Sequence, residues 1–166
     1  NLGAYGDGGA VVTNDDTLAE TIRRIANHGA LGKHDHKIGG INSRLDGIQA
    51  VILSVKLKYI DQWNDDRLNN AKVYNETLSS VGDIETPGIH PDVKHIFHVY
   101  TIRTDRRDLL REYLSENGIS TGIHYPVALP FLPPFKELGY TSKKLPVASN
   151  YQNRILSLPM YPELTE

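Results

Sequence analysis

The residues best suited to bind an anion lie at 39–44, in the sequence Gly-Gly-Ile-Asn-Ser-Arg. We expect Asn42 or Ser43 to cap the helix that follows, because small polar side chains are favoured at that position. The free N–H groups and the dipole at a helix start favour an anion there. Arg44 adds a planar cation that can bind a phosphate through two hydrogen bonds. This turn is a candidate phosphate contact, and an ordinary capped helix with a solvated arginine is the alternative.

A second candidate is the segment His124-Tyr125-Pro126, which closes a predicted strand and enters a proline-rich loop. Side chains at such a position project from a rigid element into a cleft. Neutral histidine and tyrosine offer donors and acceptors suited to an anionic or polyhydroxyl ligand. A tyrosine packed under the proline loop is the alternative interpretation.

Other binding chemistries lack the residues that they need. The glycine-rich opening at 3–9 has no Gly-Lys-Ser/Thr sequence, and it precedes a predicted strand where a dinucleotide fingerprint would follow one. We interpret these glycines as tight turns. The chain has seven histidines but no cysteine. Because no His or carboxylate triad has metal-ligand spacing, we predict no metal site.

Composition excludes further classes. The 166 residues include 18 basic and 20 acidic side chains, a formal net charge of −2, which argues against a nucleic-acid or membrane-surface binder. No run approaches the ~18 apolar residues of a membrane span. Without cysteine or a signal-peptide pattern, a cytoplasmic protein is the expectation.

The elements of the first half follow from apolar spacing. The run at 8–13 predicts a buried strand. Thr17 and Glu20 fit a capping box, which predicts a helix start, and we expect Gly29 to end this helix. The inward face of this helix would comprise Leu18, Ile22, Ile25 and Ala26.

A longer helical pattern runs from 45 to 78. It is too long for an ordinary globular helix, and it turns polar at 61–66, where we expect a break. A domain boundary there would divide the chain into 1–60 and 61–166.

The second half reads as strand, helix, strand. Strands are predicted at 97–102 and 119–125, with a helix between them that opens at 105–108. A further helix over 146–154 precedes a strand at 155–158. The first of these helices would turn inward Leu109, Leu110, Tyr113 and Leu114, and Gly118 would end it. This arrangement is typical of a small α+β domain.

Four segments, at 1–10, 40–50, 122–126 and 156–160, appear in order with fitting gaps. Together they resemble the DegT/DnrJ-type nucleotide-sugar aminotransferases, which belong to the fold-type-I pyridoxal-phosphate enzymes. The resemblance covers nearly all of the chain.

This resemblance implies an α/β fold, with the C-terminal part of the large αβα cofactor domain at 1–60 and a small α+β domain at 61–166. It also implies that the chain is an internal fragment, whose last segment at 162–166 begins a helix that it does not finish. The family's Schiff-base lysine would stand immediately before Asn1. We therefore expect no catalytic residue within the chain.

Residue roles follow from the same resemblance. Asn42 would reach the phosphate of pyridoxal 5′-phosphate in the other subunit of a homodimer. Arg44 and Lys33 would lie near the substrate's phosphates or the dimer seam. His124 and Tyr125 match a segment that borders the sugar-nucleotide site.

The implied activity is ping-pong transamination of a nucleotide-linked keto-sugar, with glutamate the usual amino donor, in amino-sugar or polysaccharide biosynthesis. The fragment alone would be inactive. Two alternatives stay open: a relative that replaces the lysine and dehydrates the sugar, and a non-catalytic binding or dimerisation module.

Overall fold

The computed structural model describes residues 1–165, and the chain's contacts divide it into two compact units, the first ending at Ile60 and the second beginning at Asp61. In the first unit the helices are α1 (Asp16–Ala26) and α2 (Gly47–Lys56), with a 3₁₀ turn at Leu57–Tyr59. The second unit contains α3 (Ile60–Leu78, which starts at the boundary), β1 (Tyr100–Arg103), α4 (Arg107–Glu116), 3₁₀ turns at Leu129–Phe131 and Pro133–Leu138, α5 (Pro146–Tyr151) and β2 (Ile155–Leu158). The expected helix start at the chain's end involves Glu166, which lies outside the described residues.

The start of α1 differs from the predicted capping box. Asp15 is the N-cap, and its carboxylate accepts a hydrogen bond from the Leu18 N–H at 3.0 Å. A carboxylate at this position satisfies the same orphan donor as a threonine hydroxyl and also suits the positive end of the helix dipole. Glu20 instead pairs with Arg24, one turn along the helix.

Two further predictions for the first unit are wrong. Residues 8–13 form no strand, and Val11 and Val12 are 69% and 92% exposed. A strand needs a neighbour for its backbone groups, and within residues 1–165 nothing pairs with this segment. The face expected to turn inward on α1 is only partly covered, because Leu18 and Ile25 are 46% and 44% exposed.

The break in the long helical pattern lies at the 3₁₀ turn 57–59, before the polar stretch 61–66 where we placed it. Polar side chains do not remove the backbone hydrogen bonds of a helix. Residues 57–66 contain neither glycine nor proline, the residues that end helices most strongly. The polar stretch therefore continues as the first turns of α3.

The sheet of the second unit pairs β1 with β2 in antiparallel fashion, with Thr101 directly opposite Ser157. Single bridges extend it on both sides, from Glu85 to Arg103 and from Gly122 to Ser157. The predicted strand at 155–158 is confirmed. The predicted strand at 119–125 is wrong, because only Gly122 pairs with the short β2.

Strand β1 begins at Tyr100, three residues later than predicted, since Phe97 has a φ of 41° and interrupts the extended backbone. Its Tyr100 and Ile102 are buried and belong to the same core cluster as Leu156. Helices α3 and α4 cover this face through Ala71, Leu68, Tyr74, Leu110 and Leu114. Leu109 and Tyr113, predicted to be inward, are 67% and 61% exposed.

The opposite face of the sheet is polar at its centre, since it carries Thr101 and Ser157. Within residues 1–165, no helix is both long enough and apolar enough to cross a membrane. Over the same residues, no three His, Asp or Glu side chains gather as metal ligands.

Candidate functional site

The loop that carries Asn42 is fastened to the end of α1 by backbone hydrogen bonds. The N–H of Ile41 donates to the carbonyl of Ile25 at 2.8 Å, and the N–H of Ser43 donates to that of Ala26 at 2.9 Å. These carbonyls belong to the last turn of α1, where no intrahelical donor reaches them. The returning loop thus caps the helix, and in doing so it fixes the position of Asn42.

Two glycines permit this return. Gly29 has a φ of +84°, and a Cβ there would lie 1.8 Å from the carbonyl oxygen of Ile38. A Cβ on Gly40 would lie 2.2 Å from the backbone nitrogen of Gly29. The two backbone segments approach more closely than any side chain would allow.

The result is a cluster of two amides and a guanidinium, which we call the amide cluster: Asn27, Asn42 and Arg44. Asn27 and Asn42 face each other across an isolated antiparallel bridge. Arg44 Nε donates to Asn42 Oδ1 at 3.1 Å, and an Arg44 terminal nitrogen donates to Asn27 Oδ1 at 3.3 Å. The structure therefore brings together Asn42 and Arg44, as the sequence predicted, and adds Asn27.

The predicted reason for an anion site at this place is wrong. Helix α2 begins at Gly47 with Asp46 as its N-cap, so neither Asn42 nor Ser43 caps it. The Ser43 N–H is directed to the carbonyl of Ala26. What the cluster offers to an anion is side-chain donors, not a helix N-terminus.

The chemistry of the amide cluster fits a phosphate. Both amide oxygens accept from Arg44, so that the remaining polar side-chain atoms of Asn42 and Arg44 are N–H donors. Asn42 and Arg44 are exposed. Within residues 1–165, no carboxylate forms an ion pair with Arg44.

Lys33 lies on an exposed turn of the same loop. The neighbouring part of that loop is tied to α1 by Arg24, which is 7% exposed and pairs with Asp35 at 2.9 Å. The hydrogen bond from Arg24 is the main cause that holds the pKa of Asp35 below its usual value. Among the described contacts, none joins Lys33 to Asn42 or Arg44, so the structure does not bring Lys33 into the amide cluster.

In the second unit, the side chain of His124 is joined by hydrogen bonds to two hydroxyl groups in series. Its Nδ1 lies 2.9 Å from the hydroxyl of Ser157, and that hydroxyl lies 2.8 Å from the hydroxyl of Thr101. His124, Ser157 and His98 line a cavity of about 180 Å³. The pKa of His98 is lowered, mainly because the ring is partly buried.

Tyr125 occupies a different position from its neighbour. Its ring packs edge-on against His124, with centroids 5.6 Å apart, and it is 69% exposed. It is thus not packed under the proline loop, which was the alternative interpretation.

Sequence reasoning missed Asn27, Thr101 and Ser157. The only local signal for Ser157 is the alternation Leu-Ser-Leu at 156–158, which puts the serine on the face opposite the leucines. Asn27 gives no such signal, since it meets Asn42 only through the return of the loop.

The DegT/DnrJ/EryC1/StrS aminotransferase family model matches residues 1–166. The chain belongs to this family. It is 48% identical over its whole length to the pleiotropic regulatory protein of Geobacillus stearothermophilus. It is 42% identical, over 99% of its length, to the dTDP-3-amino-3,4,6-trideoxy-alpha-D-glucose transaminase of Streptomyces venezuelae. The chain spans 45% and 43% of these two relatives.

Solved structures agree with this family membership. The chain is similar to DesV of S. venezuelae, solved in complex with a ketimine intermediate, with a TM-score of 0.93 and 40% identity. The match covers 99% of this chain and 44% of DesV. The fold is therefore that of the corresponding part of this family's aminotransferases.

Proposed function

We propose that this chain is part of a pyridoxal-phosphate-dependent aminotransferase that transfers an amino group to a nucleotide-linked keto-sugar, with glutamate as the amino donor. The observation that carries the proposal is the amide cluster, whose donors are held by backbone pairing and which fits a phosphate. The relatives that are named as sugar transaminases support the choice of substrate class.

The two compact units take different roles in this proposal. Residues 1–60 form the end of the large cofactor domain, and residues 61–166 form the small C-terminal domain. The Schiff-base lysine stands in the preceding part of the longer protein, directly before Asn1. In this proposal residues 1–166 bind and orient the cofactor and the substrate.

Bound pyridoxal phosphate supplies the electron sink for moving an amino group. The Asn42 side-chain N–H would hold a phosphate oxygen of the cofactor bound to a second copy of the protein. Arg44 holds the Asn42 amide with its oxygen engaged, so that its N–H side is offered to the anion. Exposed apolar residues on α2, with Ile48 at 75% and Val51 at 65%, are consistent with a homodimer whose second copy covers them.

Each unit, taken by itself, carries candidate substrate contacts. His124 and Tyr125 contact the nucleotide-sugar, with one ring fixed by Ser157 and the other exposed. Lys33 and Arg44 provide positive charge for its phosphates. The cysteine-free composition suits a cytoplasmic enzyme of amino-sugar or polysaccharide biosynthesis.

The first test is borohydride reduction of the full-length protein with pyridoxal phosphate, followed by peptide mapping. A pyridoxyl-lysine directly before Asn1 is the expected result. Cofactor binding with no lysine at that position would instead favour the dehydratase-like relative. Absence of cofactor binding would favour the non-catalytic module.

A second test addresses the amide cluster. Asn42→Asp replaces an N–H donor with a carboxylate oxygen of the same shape, which repels a phosphate. We expect cofactor affinity to fall about 10- to 150-fold, the value of one charge-assisted hydrogen bond. Asn14→Asp, which adds the same charge at an exposed turn before α1, is the matched control. Equal affinities for the two variants would refute the assigned role of Asn42.

A further inference from the structure

We propose that Ser157, Thr101 and Gly122 are positioning residues that fix the His124 ring, so that its Nε2 is always a hydrogen-bond donor to an oxygen atom of the ligand. The identity of that ligand, a nucleotide-sugar, rests on the proposed function. The geometry of the ring does not depend on it.

The hydroxyl of Ser157 is the centre of the arrangement. Ser157 is 4% exposed, and its hydroxyl contacts both His124 Nδ1 and Thr101 Oγ1 within 2.9 Å. Thr101 and Ser157 are direct cross-strand partners in the antiparallel sheet. The backbone ladder therefore holds both hydroxyls in place, and they in turn hold one nitrogen of the ring.

Gly122 provides the surface against which the ring rests. A Cβ at this position would lie 2.7 Å from Cε1 of His124 and 3.4 Å from each ring nitrogen. Gly122 also exchanges both of its backbone hydrogen bonds with Ser157, at 3.0 and 2.7 Å. Gly122, which the ring packs against, and Ser157, which forms a hydrogen bond with it, are thus the two partners of one backbone bridge.

The count of protons assigns the direction of each hydrogen bond. Within residues 1–165, the acceptor that Thr101 Oγ1 meets is the hydroxyl of Ser157. In the neutral state Thr101 therefore donates to Ser157, and Ser157 donates to His124 Nδ1, so that every hydroxyl proton is bonded. The proton of the neutral ring is then on Nε2.

Protonation of the ring reverses the chain without moving it. Nδ1–H then donates to Ser157, which donates to Thr101, and Nε2 keeps its own proton. In both charge states Nε2 is a donor. A nitrogen that donates in both charge states recognises an acceptor, which in a nucleotide-sugar is a phosphate oxygen or the lone pair of a hydroxyl.

The first readout is the tautomer of His124, measured by long-range ¹H–¹⁵N NMR on ¹⁵N-histidine-labelled protein at alkaline pH. Wild-type protein should show the Nε2–H form with Nδ1 as a bonded acceptor. Ser157→Ala should move the Nδ1 signal toward that of a free imidazole, and Ser157→Thr should restore it. Ser120→Ala removes a hydroxyl from the wall of the same cavity and should leave the signal unchanged.

The second readout is kinetic, on the full-length enzyme. Ser157→Ala should raise KM for the nucleotide-sugar about 5- to 20-fold with little change in kcat, and Ser157→Thr should recover most of this loss. Gly122→Ala should displace the ring and raise KM at least as much.

The outcomes separate the two proposals. An unchanged Nδ1 signal and an unchanged KM in Ser157→Ala would overturn the positioning role. An Nδ1–H tautomer in wild-type protein would overturn the assigned direction of donation. Wild-type protein without transaminase activity would refute the proposed function, while the NMR result would still decide the role of Ser157.

Discussion

Replacing Gly40 with alanine is expected to displace the loop that carries Asn42. The new Cβ would lie 2.2 Å from the nitrogen of Gly29 and 2.8 Å from the carbonyl oxygen of Ile25. Normal contacts are about 3.5 Å, so one of the two backbone segments must move by roughly 1 Å. Neither can do so freely, because the same segments are joined by the hydrogen bond from Ile41 to Ile25.

The loss of stability in Gly40→Ala depends on which atoms the new Cβ would contact. Overpacking a close-packed site costs about 1–3 kcal/mol, and the upper end applies because the neighbours are backbone atoms that cannot rotate away. The relatives are about twice as long as this chain, and for a protein of that size each kcal/mol lowers Tm by about 1–2 °C. Gly40→Ala in the full-length protein should therefore lower Tm by about 3–6 °C.

Gly39 is the matched control. It is adjacent in sequence, it does not have a positive φ, and a Cβ there would meet no atom within 4 Å. Gly39→Ala should be neutral, or stabilising by about 0.4–1 kcal/mol through the unfolded chain. Thermal unfolding monitored by circular dichroism, with cofactor affinity measured in parallel, distinguishes the two variants. Equal Tm values would refute the argument that close backbone approach fixes Asn42.

Three further predictions concern groups whose environment differs from solvent. The Thr104 hydroxyl and neighbouring donors lower the pKa of Asp83 to about 2. Asp83 therefore contributes stability above about pH 4 that is lost as the pH falls toward 2. Urea unfolding at stepped pH should show this loss in the wild type, and the Asp83→Asn variant should not show it. Burial raises the pKa of Tyr100 to about 12, so the stability that the neutral phenol contributes is present below pH 10 and is lost as the pH rises toward 12. The difference in absorbance between wild type and Tyr100→Phe should show that Tyr100 ionises near pH 12. Ionisation near pH 10 would contradict this prediction. Arg24→Met should lower Tm more than Arg23→Met, because Arg24 is buried with two carboxylate partners and Arg23 is exposed.

The sequence predicted best those elements whose apolar residues show a regular spacing. The strand at 155–158 and the α4 leucines Leu110 and Leu114 were recognised because their apolar spacing also matches the face that they bury. The strand expected at 8–13 was not found, because alternating or apolar patterns do not specify a partner strand. Likewise 119–125 has the composition of a strand, but the four-residue β2 offers it only one bridge.

In the candidate sites too, contacts between residues close in sequence could be predicted, and contacts between distant residues could not. Asn42 and Arg44 are only two residues apart in sequence, so their proximity could be predicted even though the proposed helix cap was wrong. Asn27 and Ser157 lie 15 and 33 residues from the side chains that they support. Their contributions depend on loop return and strand register, which are set by tertiary packing and not by local propensity.

Both candidate ligand-binding groups are built by one physical device. Each contains an isolated backbone bridge: Asn27 pairs with Asn42 itself, and Gly122 pairs with Ser157, whose hydroxyl contacts His124. Near each bridge a glycine leaves space that a Cβ would fill, at Gly40 against the backbone of Gly29 and at Gly122 against the His124 ring. Because of this, we expect substitutions at Gly40 and Gly122, which carry no chemistry themselves, to impair binding more than removal of an exposed charge such as Lys33.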